Sequence, residues 1–215
     1  MRQSEAGFTV LEWCVLVVAV AVMAACAMPV TVAAKQQANV VMDQMQMRQH
    51  YTWLEAYRRM HRGGLPNVGG HKFVMSTWVA RIFDHTPENL DAFFTPGARE
   101  SDPDFRAQRS LLERGEDPWP ELAATTSTDT HYVGRGEQFL RTARRNASQP
   151  LMATDNEGRW VFADGSLNIL FNGGNVRSYS YKDLEQRFGL GPMTEHPVRT
   201  WGRNSPIPEC QYLDN

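Results

Sequence analysis

The sequence predicts an α+β fold, in which a long N-terminal α-helix packs on a small antiparallel β-sheet with long loops. The first observation is a run of 22 residues without a charged side chain, from Trp13 to Ala34. The second is the segment 35–62, which follows directly and contains neither Gly nor Pro. The third is a set of short apolar segments after residue 150, separated by residues typical of tight turns. A helical pattern first and strand patterns late favour one α+β domain behind a long helix.

The apolar run 13–34 is long enough to span a bilayer, whose hydrocarbon core needs about 20 helical residues. Pro29 lies inside the run; it removes one backbone donor and crowds the carbonyl of Ala25, which predicts a kink or a local opening. Glu12 stands at the edge of the run. A carboxylate near a bilayer core costs roughly 2.5–3.5 kcal/mol on insertion scales, so its presence there indicates a function.

The segment 35–62 is predicted to continue the helix as an amphipathic half. Val40, Met47, Tyr51 and Leu54 recur at spacings of seven, four and three, which places them on one apolar face. Gly63-Gly64 supplies the stop signal and Pro66 follows it.

The segment 63–191 is predicted to form the globular domain. Its strand signals are the segments 151–155, 158–163, 167–171 and 176–181. Asn172-Gly-Gly-Asn175 between the last two predicts a hairpin, because these residues accept positive φ. Residues 182–188 are predicted to form a closing helix that ends at Gly189, and the Pro-rich tail 192–215 is expected to be irregular.

The N-terminal motif Gly7-Phe8-Thr-Val-Leu-Glu12, ahead of the apolar run, resembles the signal of type IV pilins and type II secretion pseudopilins. The resemblance implies that a prepilin peptidase cuts between Gly7 and Phe8 and methylates the new Phe8 amine. It also implies that Glu12 of one subunit neutralises the Phe8 amine of its neighbour during assembly. A proline at the position of Pro29 is common in that family.

The resemblance implies a structural subunit of a type II secretion or type IV pilus-type filament, and not an enzyme. Its partners would be other pilin or pseudopilin subunits, the prepilin peptidase and an inner-membrane assembly platform. The chain would be anchored by a single pass in a bacterial inner membrane with its domain in the periplasm, and would reach a filament or the cell surface after assembly. Residues 1–7 would be the leader, 8–34 the membrane and assembly half of the helix, and 35–62 its amphipathic half.

The later segments resemble a group of bacterial pseudopilin-like proteins with a C-terminal His-(nine residues)-Asp-Gly signature. The matching residues are Tyr57, the 63–66 stop, the loop 93–97, the segments 131–134 and 151–155, and Asn168, Leu170, Phe171, Gly174 and Val176. Ala163 stands in place of the signature His and Gly173 in place of its Asp. The resemblance therefore implies the hairpin but no site at these two positions.

Two other interpretations of the N-terminus stay open. Met23-Ala-Ala-Cys26 resembles a lipoprotein processing site, and an ordinary signal peptide would have a shorter apolar region after a positive segment. The second class of function is a membrane-anchored periplasmic binding or enzymatic domain that borrows the export signal. A deep polar pocket with converging acids would favour it, and a solid apolar core would favour the filament subunit.

The composition and motifs offer little other chemistry. Lys and Arg number 22 against 24 Asp and Glu, so the chain has no basic excess for nucleic acid. Cys14 and Cys26 lie in the apolar run, which leaves Cys210 without an intramolecular disulfide partner in the domain. We expect no cofactor; the metal candidate is calcium at Asp155, Glu157 and Asp164, whose carboxylates are hard oxygen ligands.

Overall fold

A computed structural model describes residues 9–139, 146–156, 161–194 and 199–214. The chain divides into two compact units, Met1–Ala38 and Asn39–Asn215. Helix α1 spans Val10–Met60, and residues up to Ala38 belong to the first unit. The sheet, the apolar core and the buried polar groups belong to the second unit.

The other helices of the second unit are shorter. They are α2 (Gly70–Val79), α3 (Pro87–Asp91), α4 (Pro103–Glu113) and α5 (Tyr181–Phe188). Thr86, Asp102 and Ser180 cap α3, α4 and α5 through side-chain oxygens that accept backbone N–H bonds. At the far end of α5, Gly189 adopts the left-handed conformation with φ of 70°, which suits a residue without a Cβ.

The described strands form one five-stranded antiparallel sheet. They are β1 (Tyr132–Arg135), β2 (Pro150–Thr154), β3 (Leu167–Phe171), β4 (Val176–Tyr179) and β5 (Leu213–Asp214), in the spatial order β4-β3-β2-β1-β5. In the β3–β4 hairpin Leu167 pairs with Tyr179 and Leu170 with Val176. The C-terminal strand β5 pairs with β1, Gly134 lying opposite Asp214.

Strands β1, β2 and β3 are buried throughout, because their side chains alternate between two faces and each face is covered by an apolar layer. One face carries Tyr132, Met152 and Leu170, which pack with residues of α1 and α2 such as Met47 and Phe73. The other face is covered by α5 and the C-terminal segment; its core is Val133, Ala153, Leu167, Ile169, Phe171, Leu184, Trp201, Ile207, Cys210 and Leu213. The sheet is therefore the middle layer of three.

The α+β class and the amphipathic face are confirmed. Val40, Met47 and Leu54 are buried and Tyr51 is partly buried against the core. The sequence predicts a membrane-crossing half at 8–34; within the described residues, no helix is long and apolar enough to cross a membrane.

Three segments differ from their sequence-based prediction. The strand expected at 176–181 ends at Tyr179, because Ser180 caps helix α5, which begins at Tyr181. The strand expected at 158–163 is not formed by 161–163, which lie in bends and a turn, and 157–160 lie outside the described residues. The tail 192–215, expected to be irregular, contains a 3-10 helix at Pro208–Tyr212 and the edge strand β5. Its apolar residues cover the second face of the sheet, which explains why the tail is ordered there.

Candidate functional site

The predicted processing residues Gly7 and Phe8 lie outside the described residues, but Glu12 is in the first turn of α1. The Thr9 backbone N–H and hydroxyl donate to Glu12 Oε2 over 2.7 and 2.9 Å, and Glu12 N–H donates to Thr9 Oγ1 over 3.3 Å. This reciprocal pair is a capping box, which satisfies backbone donors that a helix start leaves open. Within the described residues, no hydrogen bond reaches Glu12 Oε1.

The first unit exposes apolar side chains on every side of α1. Their exposed fractions run from 48% to 81%, and they are Val10, Leu11, Trp13, Val15, Leu16, Val17, Val18, Val20, Val22, Met23, Met28 and Val32. A helix that is apolar all round is typical of one covered by other apolar groups. Pro29 lies inside α1, which is an α-helix on both sides of it.

A buried polar cluster joins α1 to the sheet. Tyr132 of β1 donates its hydroxyl hydrogen to Asp43 Oδ1 over 2.7 Å, and its oxygen lies 3.3 Å from Gln46 Oε1. Asn168 of β3 donates from Nδ2 to Asp43 Oδ2 over 2.7 Å and to the Val40 carbonyl over 3.3 Å. Asp43, Tyr132 and Asn168 are each 0% exposed, so water does not solvate the carboxyl.

The Asp43 carboxyl is shifted strongly by this environment. Burial raises the pKa of Asp43 to about 7, against the opposing effect of the hydrogen bonds from Asn168 and Tyr132. Burial, with the nearby Asp43, raises the pKa of Tyr132 well above its usual value, so its hydroxyl stays protonated. Among the ion pairs of the described residues, none involves Asp43.

His50 lies two turns further along the same face of α1. Its Nε2 is 2.9 Å from the Ala92 carbonyl, to which the ring N–H donates, and its ring meets Phe93 edge-on at 4.8 Å. Burial lowers the pKa of His50 to about 4, so the ring is neutral near pH 7. His50 is therefore a packing and anchoring residue of the core.

Thr95, His131 and Asp102 form a second buried network with the connectivity of a nucleophile, base and acid. His131 Nδ1 accepts from the Thr95 N–H at 3.1 Å and lies 3.0 Å from its hydroxyl, while Nε2 donates to Asp102 Oδ2 over 2.8 Å. The exposed fractions are 0%, 5% and 3%, which leaves no room for a substrate. Asp102 Oδ1 also caps α4. The network therefore holds the loop before α4 against β1.

Two of the three proposed calcium ligands, Asp155 and Asp164, lie among the described residues, and each accepts a hydrogen bond from the protein. Asp155 Oδ1 accepts from the Trp201 indole N–H over 2.9 Å, and Asp164 Oδ1 accepts from the Ser166 backbone N–H over 3.1 Å. Glu157 lies outside the described residues. No group of three or more potential metal ligands is present in the described part of the chain.

The hairpin implied by the second resemblance is present. Gly174 N–H donates to the Phe171 carbonyl over 2.9 Å, and Gly174 has a φ of 80°. Ala163 and Gly173 are exposed in turns. Asn168, which the sequence matched only to a pattern, is instead the buried partner of Asp43.

A polar groove lies beside strand β5. A cavity of about 540 Å³ is lined by Glu137, Gln138, Arg203 and Asp214, and a smaller one of about 260 Å³ next to it shares Glu137 and Asp214. Arg203 donates to Gln138 Oε1 over 2.7 Å across the groove. The described lining of the larger cavity therefore offers two carboxylates, a guanidinium and an amide, and no hydroxyl, thiol or imidazole.

The sequence reasoning missed Asp43, His50, Tyr132 and the Thr95 network. A signal for the first two was present, because positions 40, 43, 47, 50 and 54 form one stripe with spacings of three and four. A polar residue within such an apolar stripe is expected to be buried together with its apolar neighbours. No comparable local signal marks Tyr132 or Thr95, whose partners are distant in sequence.

Comparison of the chain with protein-family models, curated proteins and solved structures gives no match.

Proposed function

We propose that the chain is a pilin-like structural subunit of a type II secretion or type IV pilus-type filament. Prepilin peptidase removes residues 1–7, and the subunit is held by residues 8–34 in a bacterial inner membrane with its domain in the periplasm. Assembly moves this apolar half of the helix into a filament made with other pilin or pseudopilin subunits. The observation that carries the proposal is the motif Gly7-Phe8-x3-Glu12 at the head of a helix with apolar side chains exposed on every side.

Glu12 supports the proposal through the geometry of its carboxylate. Both bonds from Thr9 end on Oε2, so Oε1 has lone pairs with which to accept a donor from another subunit. The mature Phe8 amine is such a donor, since it carries a positive charge. In a low-dielectric filament core this opposite charge offsets the unfavourable burial of the carboxylate.

An enzymatic role draws less support. The Thr95–His131–Asp102 network is buried, and the described lining of the groove beside β5, Glu137, Gln138, Arg203 and Asp214, contains no hydroxyl, thiol or imidazole side chain. The domain has an apolar core on both faces of the sheet, as we expect of a filament subunit.

The test separates the charge of Glu12 from its capping role. Glu12→Gln keeps the capping box, since Gln serves at that position, but removes the charge. Thr9→Val removes the cap and keeps the charge. With a prepilin peptidase and an assembly apparatus present, the wild-type chain and Thr9→Val should form cross-linked multimers, and Glu12→Gln should remain monomeric while still cleaved.

Mass spectrometry of the mature N-terminus provides the control. All three proteins should begin at N-methylated Phe8. A mature protein that begins at lipidated Cys26 or keeps Met1 would refute the pilin-like function, and wild-type levels of multimers in Glu12→Gln would refute the role of the charge.

A further inference from the structure

We propose that Asp43 is a proton-operated latch that fastens the start of the second unit's helix to the sheet. With its proton bound, the Asp43 carboxyl closes a chain of hydrogen bonds through Tyr132 to Gln46. When the proton leaves, a charge without a counter-ion remains in the core, and the docking of residues 40–47 on β1 and β3 weakens. The inference is independent of filament assembly.

The geometry accommodates the bound proton without moving any heavy atom. In the neutral form Asp43 Oδ1–H donates to the Tyr132 oxygen over 2.7 Å, and the Tyr132 hydroxyl then donates to Gln46 Oε1 over 3.3 Å. Gln46 is held in the required orientation, because its Nε2 donates to the Asp91 carbonyl over 3.0 Å. Asn168 keeps its bond to Asp43 Oδ2 in both forms. Each donor in the chain therefore has an acceptor when Asp43 is neutral.

The ionised form of Asp43 is less well stabilised by its surroundings. Its carboxylate accepts two hydrogen bonds from neutral groups and lies fully buried, away from any ion pair among the described residues. An uncompensated buried charge is destabilising, so the folded protein retains the proton to higher pH than an exposed Asp would. The raised pKa of Asp43, about 7, agrees with this geometry.

The groups that face the latch come from several elements. Tyr132 is the titratable group on β1, and its pKa is raised beyond the pH range of interest. His50 on α1 places its ring 5.4 Å from that of Tyr132. Arg99 has the smallest effect on the pKa of Tyr132, which it lowers, and it forms an ion pair with Asp91 at 3.3 Å. On β3 the Asn168 backbone N–H donates to the hydroxyl of Thr154 on β2, which is a neutral group.

The sign of the pH dependence follows from proton counts. Once the latch opens, Asp43 meets water and ionises near its ordinary pKa of 3.8, whereas the closed form holds the proton to about 7. The opening equilibrium therefore rises tenfold per pH unit between these two values and then levels off. Because His50 titrates in the same range, the comparison must be made against a variant that lacks only Asp43.

The experiment is hydrogen exchange of the full chain in detergent micelles, followed by mass spectrometry of peptides covering residues 36–50. The ratio of amide protection in Asp43→Asn to that in the wild type should rise about tenfold per pH unit from pH 4 to 7 and then stay constant. Asp104→Asn, which removes a partly exposed acid in the first turn of α4, should give a ratio independent of pH. A flat ratio for Asp43→Asn would overturn the proposal.

A second variant covers the case in which Asp43→Asn does not fold. Tyr132→Phe keeps the ring but removes the hydrogen bond in both protonation states of Asp43. The bond to the ionised carboxylate is charge-assisted and therefore the stronger of the two, so the plateau should move to a pH above that of the wild type. The infrared C=O stretching band of a protonated carboxyl, present in the wild type at pH 6, should persist to higher pH in this variant. Absence of that band from the wild type at pH 6 would overturn the proposal.

Discussion

Asp43 and His50 lie on one stripe of α1, and burial shifts their pKa values in opposite directions, to about 7 and about 4. Each group is therefore neutral in the fold near the middle of this range. Between pH 4 and 6.5 the folded chain holds a proton on Asp43 that the unfolded chain has released. The unfolded chain holds a proton on His50 that the folded chain lacks. The two contributions to the free energy of unfolding therefore cancel in this range.

We predict that single substitutions of Asp43 and His50 reveal the pH dependence that each group contributes to the free energy of unfolding. Relative to the wild type, Asp43→Asn should gain stability by about 1.4 kcal/mol per pH unit as the pH rises from 4 to 7. His50→Gln keeps a donor for the Ala92 carbonyl and should gain stability relative to the wild type as the pH falls from 6.5 to 4. Urea unfolding of the full chain in micelles across this range measures both.

The double variant is the control for this prediction. Asp43→Asn combined with His50→Gln should return to the pH profile of the wild type over pH 4–6.5, offset by a constant. If either single variant runs parallel to the wild type, that side chain ionises at the same pH in the folded and unfolded chain.

At the level of elements, α2 and β1 approach so closely that only glycine fits between them. A Cβ on Gly134 would lie 2.5 Å from the Gly70 carbonyl oxygen and 2.8 Å from Phe73 Cβ. The first of these contacts is with backbone, which cannot move aside without shifting a whole element. This contact fixes the distance between the helix and the sheet.

Gly134→Ala should therefore destabilise the fold by about 1–3 kcal/mol, the usual range for overpacking. Gly191→Ala is the matched control, because a Cβ there meets nothing within 4 Å, and its effect should be within about 0.5 kcal/mol. Thermal unfolding of both variants makes the comparison. Equal melting temperatures would mean that α2 shifts away from β1 at little energetic expense.

The sequence predicts elements whose signals are local. The β3–β4 hairpin follows from Asn172-Gly-Gly-Asn175 between two apolar runs, and the end of α5 follows from the Gly189 stop. Strand β5 has two residues and pairs with β1 far away in sequence, so no pattern within it could reveal the pairing. The candidate site divides in the same way, since Asp43 stands in a visible stripe while Tyr132 and Asn168 become its partners only through tertiary folding.

On the scale of the whole molecule, the division at Ala38 separates two kinds of surface. The buried apolar residues of the described chain begin at Val40, and the three apolar clusters lie entirely in the second unit. The first unit instead exposes apolar side chains along α1. The second unit therefore contains a core of its own and the polar anchors that hold its helix.

We predict that a fragment starting at Lys35 folds without residues 1–34, as a soluble monomeric α+β domain. A fragment that starts at Gln44 is the matched truncation: it lacks Val40 and Asp43, and so leaves Tyr132 and Asn168 without their buried partner. Circular dichroism should show helix with a smaller strand contribution for the first fragment. Urea unfolding should be cooperative there and shifted to lower urea in the second. Aggregation of the Lys35 fragment, or equal midpoints for the two, would mean that the fold depends on residues before Lys35 or does not use the Asp43 anchor.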